Sequence, residues 1–133
     1  MTASSFADPQ DVAGYRKAIQ NGEARAQARA RHDNGVGKWG DDTTSATVPM
    51  CALPRDDWVA KWGPGNKARG KPILVAYNGK VIVCELRDTL PAKTNIKNGV
   101  GIDLNPGAAK ALGLNPPIKV KNVKWEWAVD GIG

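Results

Sequence analysis

Histidine is nearly missing from this sequence: His32 is the only one among 133 residues. Cysteine is scarce too, limited to Cys51 and Cys84. Two thiols do not complete a four-ligand zinc site without imidazole help, and His32 lies far from both, so no metal or cofactor is expected. For Cys51 and Cys84 themselves, a disulfide and a pair of buried free thiols both stay open. Long apolar runs are also lacking. None approaches the ~20 residues needed to cross a bilayer, which argues against a membrane span. Residues 1–6 carry neither the basic nor the apolar region of a secretory signal.

What is present suits one ordinary domain. A hydrophobic content of 41% supplies a core, while nine prolines and fifteen glycines call for short elements and many turns. The net charge is +6, with a pI near 9.5, which favours polyanionic partners such as envelope polymers, lipid or nucleic acid. Residues 1–34 carry five Lys/Arg against four Asp/Glu, so the basicity belongs to the rest of the chain. There it is spread as single lysines, a pattern that gives no dedicated nucleic-acid site.

Two grammars divide the chain. In residues 1–34 Asp8 is placed to cap a helix whose first position is Pro9, with Asp11 in the first turn and Val12, Tyr15, Ile19 and Ala26 along one side. Asn21-Gly22 kinks or breaks this segment, and Asn34-Gly35 stops it. We expect a helical extension over 1–34. From 35 onward strands take over, at 35–40, 48–53, 73–77, 80–86, 100–104, 118–120 and 123–127. Asn78-Gly79 between two of them is a strong signal for a two-residue hairpin turn. On the second arm Ile82, Cys84, Leu86 and Asp88 should share one face, with Val81, Val83, Glu85 and Arg87 on the other. Asp56 opens a short helix to Lys61, and Asn105 caps another that starts at Pro106 and ends at Gly113.

Several of these strings, in this order, resemble the rare lipoprotein A family, which shares its barrel with expansins, barwin-like proteins and family-45 endoglucanases. They are Gly37-Lys38-Trp39-Gly40, Cys51-Ala52-Leu53-Pro54, Gly70-Lys71-Pro72-Ile73-Leu74-Val75, Cys84-Glu85-Leu86-Arg87-Asp88-Thr89-Leu90-Pro91 and Gly101-Ile102-Asp103-Leu104-Asn105-Pro106. The resemblance runs from about Gly35 to Trp127. It implies a mainly β fold: a six-stranded double-psi β-barrel over 35–133, with short inserted helices and the N-terminal helical extension outside it. It also implies a monomer in the cell envelope or outside the cell, acting on a polysaccharide. One departure stands out, because Met50 occupies the place where the family usually keeps a histidine.

Cutting a glycosidic bond requires an acid at the leaving oxygen and usually a second carboxylate. Asp103, between apolar Ile102 and Leu104, is the first candidate acid; burial there would keep it protonated near neutrality. The related hydrolases place a matching aspartate in their groove. Asp41 or Asp42, just after Trp39-Gly40, is the candidate second carboxylate, unless the pair simply belongs to a polar turn with Thr43, Thr44 and Ser45. Asp88 is a third, either in the groove or tied to backbone amides. An indole stacks well on a sugar face, so Trp39, with Tyr77 behind it and Thr44 and Ser45 alongside, forms the expected substrate-binding set. Trp58 and Trp62, one helical turn apart, and Trp125 and Trp127 on the last strand read as packing residues. The expected activity is cleavage of a peptidoglycan-like glycan by lytic transglycosylation or hydrolysis. An expansin-like binding module without turnover is the alternative, and a barwin-like defence or inhibitor protein is a third reading.

Overall fold

The computed structural model describes residues 1–128. Its strands are β1 (Thr2–Ser5), β2 (Met50–Pro54), β3 (Pro72–Tyr77), β4 (Lys80–Leu90), β5 (Val100–Leu104), β6 (Lys119–Val120) and β7 (Lys124–Trp127). The helices are α1 (Pro9–Gln20), α2 (Arg25–Arg31), α3 (Arg55–Trp62) and α4 (Pro106–Ala111). All seven strands join one mixed sheet in the order β6-β1-β5-β2-β4-β3-β7. β1 runs parallel to β5, and β2 runs parallel to β4; the remaining pairs are antiparallel.

The β3–β4 hairpin turns at Asn78 and Gly79, whose φ values of 51° and 82° are the left-handed pair that matches strand twist. Its alternation places Ile73, Val75, Cys84 and Leu86 in the core, while Val81 and Val83 face outward at 65% and 54% exposure. Cys51, Leu53, Ile102, Leu104 and Val123 complete that core, and Trp58 of α3 is fully buried against it. Asn105 works as expected. Its Oδ1 accepts from the amides of Ala108 and Met50, both at 2.8 Å, and its Nδ2 donates to the carbonyls of Thr43, Ser45 and Val48. One fully buried amide thus starts α4 and fixes the 43–48 loop.

Four expectations need correction. First, residues 1–34 are not purely helical. β1 lies inside the sheet between β5 and β6, with Ala3 opposite both Ile102 and Val120. Thr-Ala-Ser-Ser has little strand character of its own; its pairing comes from neighbours on both sides. Second, residues 35–40 form no strand. They bend tightly, with Gly37 N–H donating to Asp41 O at 2.8 Å and a single bridge between Val36 and Asp42. Third, Asp88 does not share the face of Cys84 and Leu86. β2 and β4 slip by one residue, so that Cys51 pairs with Leu86 but Ala52 pairs with Asp88, and the extra residue turns Asp88 to the opposite side. Fourth, Asp8 stands at the N-cap of α1 but its carboxyl makes no cap bond, accepting instead from Ser5 Oγ at 2.9 Å.

The helical segment is a hairpin. α1 and α2 break at Asn21-Gly22, and its buried side chains are Val12, Ala18 and Ala28 rather than the expected Ala26. Cys51 and Cys84 are buried free thiols, not a disulfide. The two outermost strands of the sheet, β6 and β7, are consecutive in the chain. Val123 between them exchanges two hydrogen bonds with Met1, at 2.9 and 3.0 Å. Among the described residues, no helix is long and apolar enough to cross a membrane.

Candidate functional site

Because Ile102 and Leu104 of β5 point into the core, Asp103 between them must point to the other side of the sheet. There it borders a cleft of about 350 Å³ with Ser4, Leu90, Pro91, Asn95 and Lys97. Ser4, in register with Asp103 on the parallel strand β1, donates its hydroxyl to Asp103 Oδ1. Burial first, and then the charges of Asp88, Asp8 and Asp33, together raise the Asp103 carboxyl from 3.8 to about 6, against the Ser4 hydrogen bond, which lowers it. A carboxyl with that value is about half protonated near pH 6 and still about one-tenth protonated at pH 7, so it can donate a proton. That is acid chemistry.

Asp88 is the nearest comparable group by register. Ala52 on β2 pairs with Asp103 on one side and with Asp88 on the other, so Ser4, Asp103, Ala52 and Asp88 form one row across β1, β5, β2 and β4. Asp88 Oδ1 accepts from Lys38 N–H at 2.9 Å and from Thr89 N–H at 2.8 Å. Its pKa is still raised, because burial outweighs those two bonds. The carboxyl borders a second cleft, of about 400 Å³, with Arg29, Asn34, Gly37 and Lys38. Both open and backbone-tied readings of Asp88 therefore describe part of its setting.

No family model matches this chain, and no curated protein matches it. Among solved structures it is similar to the Streptomyces papain inhibitor (SPI). That match has 24% identity and a TM-score of 0.48, covering 69% of this chain and 81% of the inhibitor.

The other expected site residues do not join Asp103. Asp41 is held by Arg69, whose Nε and Nη2 donate to its two oxygens at 3.0 and 2.7 Å; that hydrogen bonding, with Arg87 nearby, lowers its pKa. Asp42 accepts from both the hydroxyl and the amide of Thr44, at 2.6 and 2.9 Å, and these bonds lower its pKa. Ser45 caps the turn ahead of it, accepting from Val48 N–H at 2.9 Å. Asp42, Thr44 and Ser45 thus spend their polar groups on the polar turn that was the plainer expectation. Trp39 packs edge-on against Trp58 with ring centres 5.3 Å apart and donates its indole N–H to Gly65 O at 2.9 Å. Tyr77 packs against the core cluster. Among the described residues, no indole borders the Asp103 cleft.

Three participants were not anticipated. Ser4 carries no motif, and only its strand pairing brings it to Asp103. Asp8 and Asp33 lie in the helical hairpin, yet both act electrostatically on Asp103. Among the described residues no three His, Cys, Asp or Glu side chains group in a way that could hold a metal ion.

Proposed function

We propose that this chain folds as a double-psi β-barrel of the cell envelope and cleaves a peptidoglycan-like glycan, with Asp103 as general acid. The alternation of parallel and antiparallel pairs supports the barrel, as does the meeting of Met1 with Val123 between the two outermost strands. The observation that carries the activity is the Asp103 carboxyl: it borders a cleft and its pKa is raised to about 6. A protonated Asp103 gives its proton to the glycosidic oxygen as the bond to the anomeric carbon breaks. In lytic transglycosylation a hydroxyl of the same sugar then attacks the anomeric carbon and gives its proton to the Asp103 carboxylate just formed, so no second carboxylate is required. The positive charge of the chain favours an anionic wall polymer.

Hydrolysis is the second reading, and Asp88 favours it. Two strand spacings separate Asp88 from Asp103, roughly 10 Å between backbones, which approaches the separation that lets one carboxylate activate a water opposite the acid. Incubation with purified sacculi tests both. Wild type should release muropeptides and Asp103→Asn should not; equal release by the two proteins refutes the proposal. Products one water lighter than hydrolytic fragments assign the lytic route. Hydrolytic fragments that vanish in Asp88→Asn assign the other.

A further inference from the structure

β7 is an outermost strand, and only one side of its backbone is paired along its length. Ala128 N–H donates to Pro72 O at 3.0 Å, which fixes the phase of the antiparallel ladder with β3. Lys124 and Glu126 therefore turn their N–H and C=O groups toward β3, while Trp125 and Trp127 turn theirs away. Val123, just before β7, faces the same way as the two tryptophans and has a partner there, because it exchanges two hydrogen bonds with Met1. Beyond Met1 the edge stands open. Among the described residues, no backbone group bonds to the N–H or C=O of Trp125 or Trp127.

A cleft lies on each face of this edge. The outer one, of about 500 Å³, is lined by Leu74, Ala76, Val81, Lys124 and Glu126. The inner one, of about 450 Å³, is lined by Pro54, Ile96 and Val100, together with Asp57 and Lys93, which pair with each other at 2.8 Å. Met1 and Trp125 border both. An extended chain sends alternate side chains to opposite faces, so a strand laid on the open edge would enter both clefts while its backbone meets Trp125 and Trp127. The geometry points to this edge as a docking site for an extended segment of another protein, added antiparallel to β7, with apolar residues opposite Trp125 and Trp127 and a basic residue between them opposite Glu126.

The apolar pair suits the inner cleft, where Pro54, Ile96 and Val100 lie. The cation suits Glu126, which stands exposed on the outer face directly across from the middle residue. Met1 limits the site: it already holds the place opposite Val123, so the incoming segment must end or turn outward before it. A second copy of this chain fits the edge badly. Pairing Trp125 with Trp127 of the copy sets Glu126 against Glu126, like charges face to face. Pairing Trp125 with Trp125 of the copy sets Trp127 against Val123, where Met1 already lies. The inference goes beyond the glycan reading and does not depend on it.

Amide hydrogen exchange on the full chain tests it with two blocked peptides of one composition, acetyl-Glu-Thr-Thr-Val-Lys-Val-amide and acetyl-Lys-Thr-Thr-Val-Glu-Val-amide. In the free protein the amides of Trp125 and Trp127 should exchange at least about tenfold faster than those of Leu74 and Ala76, which face β7 from β3. The first peptide, at about ten times its Kd, should slow both tryptophan amides about tenfold, and Leu74 and Ala76 less. The second should bind about fivefold more weakly, and Glu126→Lys should reverse that order. Leu74 and Ala76 exchanging in the variant as they do in wild type show that its sheet is intact. Tryptophan amides as slow as Leu74 in the free protein would mean that the edge is already covered, and would overturn the inference. So would the absence of protection by either peptide, or one order of affinity in both proteins. Protection that rises with protein concentration alone would overturn it in favour of a second copy.

Discussion

Replacing Asp103 by asparagine should stabilise the protein above neutral pH while abolishing the proposed acid. Asparagine resembles the protonated carboxyl in shape and keeps an oxygen for the Ser4 hydroxyl. The folded protein holds the Asp103 carboxyl at about 6 against an ordinary 3.8. At 1.36 kcal/mol per pH unit that gap corresponds to about 3 kcal/mol, a large share of the ~5–15 kcal/mol that secures a small domain. Because the folded value lies above the unfolded one, this stability is fully present below 3.8 and is lost as pH rises through about 6. Wild type therefore loses this contribution across that window, and the variant has none to lose. Urea unfolding at about pH 4 and about pH 8 should show a variant-minus-wild-type difference that grows from near zero to about 3 kcal/mol. Asp88 and Asp8 are raised by burial and weaken both proteins over the same direction of pH, so the part of their effect that burial causes cancels in the difference. Asp41 and Asp42, lowered by their hydrogen bonds, act below 3.8 and drop out as well. A difference that stays flat with pH would refute the claim that burial, rather than open water, surrounds this carboxyl.

Two further outcomes follow from other buried groups. Asn105→Ala strands the Met50 and Ala108 amides and three carbonyls, and at about 1–3 kcal/mol for each group left without a partner it should cost at least about 3 kcal/mol in a denaturant titration; a loss below about 1 kcal/mol would contradict its role. Burial pushes the Cys51 thiol up and Cys84 is equally enclosed, so a colorimetric thiol reagent should react with both on the order of a hundredfold more slowly in native protein than in urea, whereas a native rate close to the unfolded one would place them at the surface.

Local chemistry was readable where a residue satisfies its own neighbours. Asn78-Gly79 turns the chain whatever surrounds it, and Asn105 needs only Ala108 to begin a helix. Asp103 was placed on the face opposite the core by Ile102 and Leu104 alone. Legibility ends where a second strand decides. Asp88 follows a regular alternation in sequence, but a one-residue slip against Ala52 reverses its face. Thr2–Ser5 has no pattern to betray a strand, and Ser4 reaches Asp103 only through pairing across most of the chain. Trp39 beside an aspartate pair fits a sugar platform by proximity in sequence, yet the tight bend at Gly37 and Gly40 sends its ring to Trp58 and Asp41 to Arg69.

The position of β1 shapes how the protein comes together. Ala3 is synthesised about a hundred residues ahead of Ile102 and Val120, the two residues it pairs with. β1 must wait until β5 and β6 have been made, and then close a loop of about a hundred residues. Long-range closure of that kind is slow relative to local pairing. Loss of β6 would leave β1 without a partner on one side, so the pairing of the two couples segments distant in the chain.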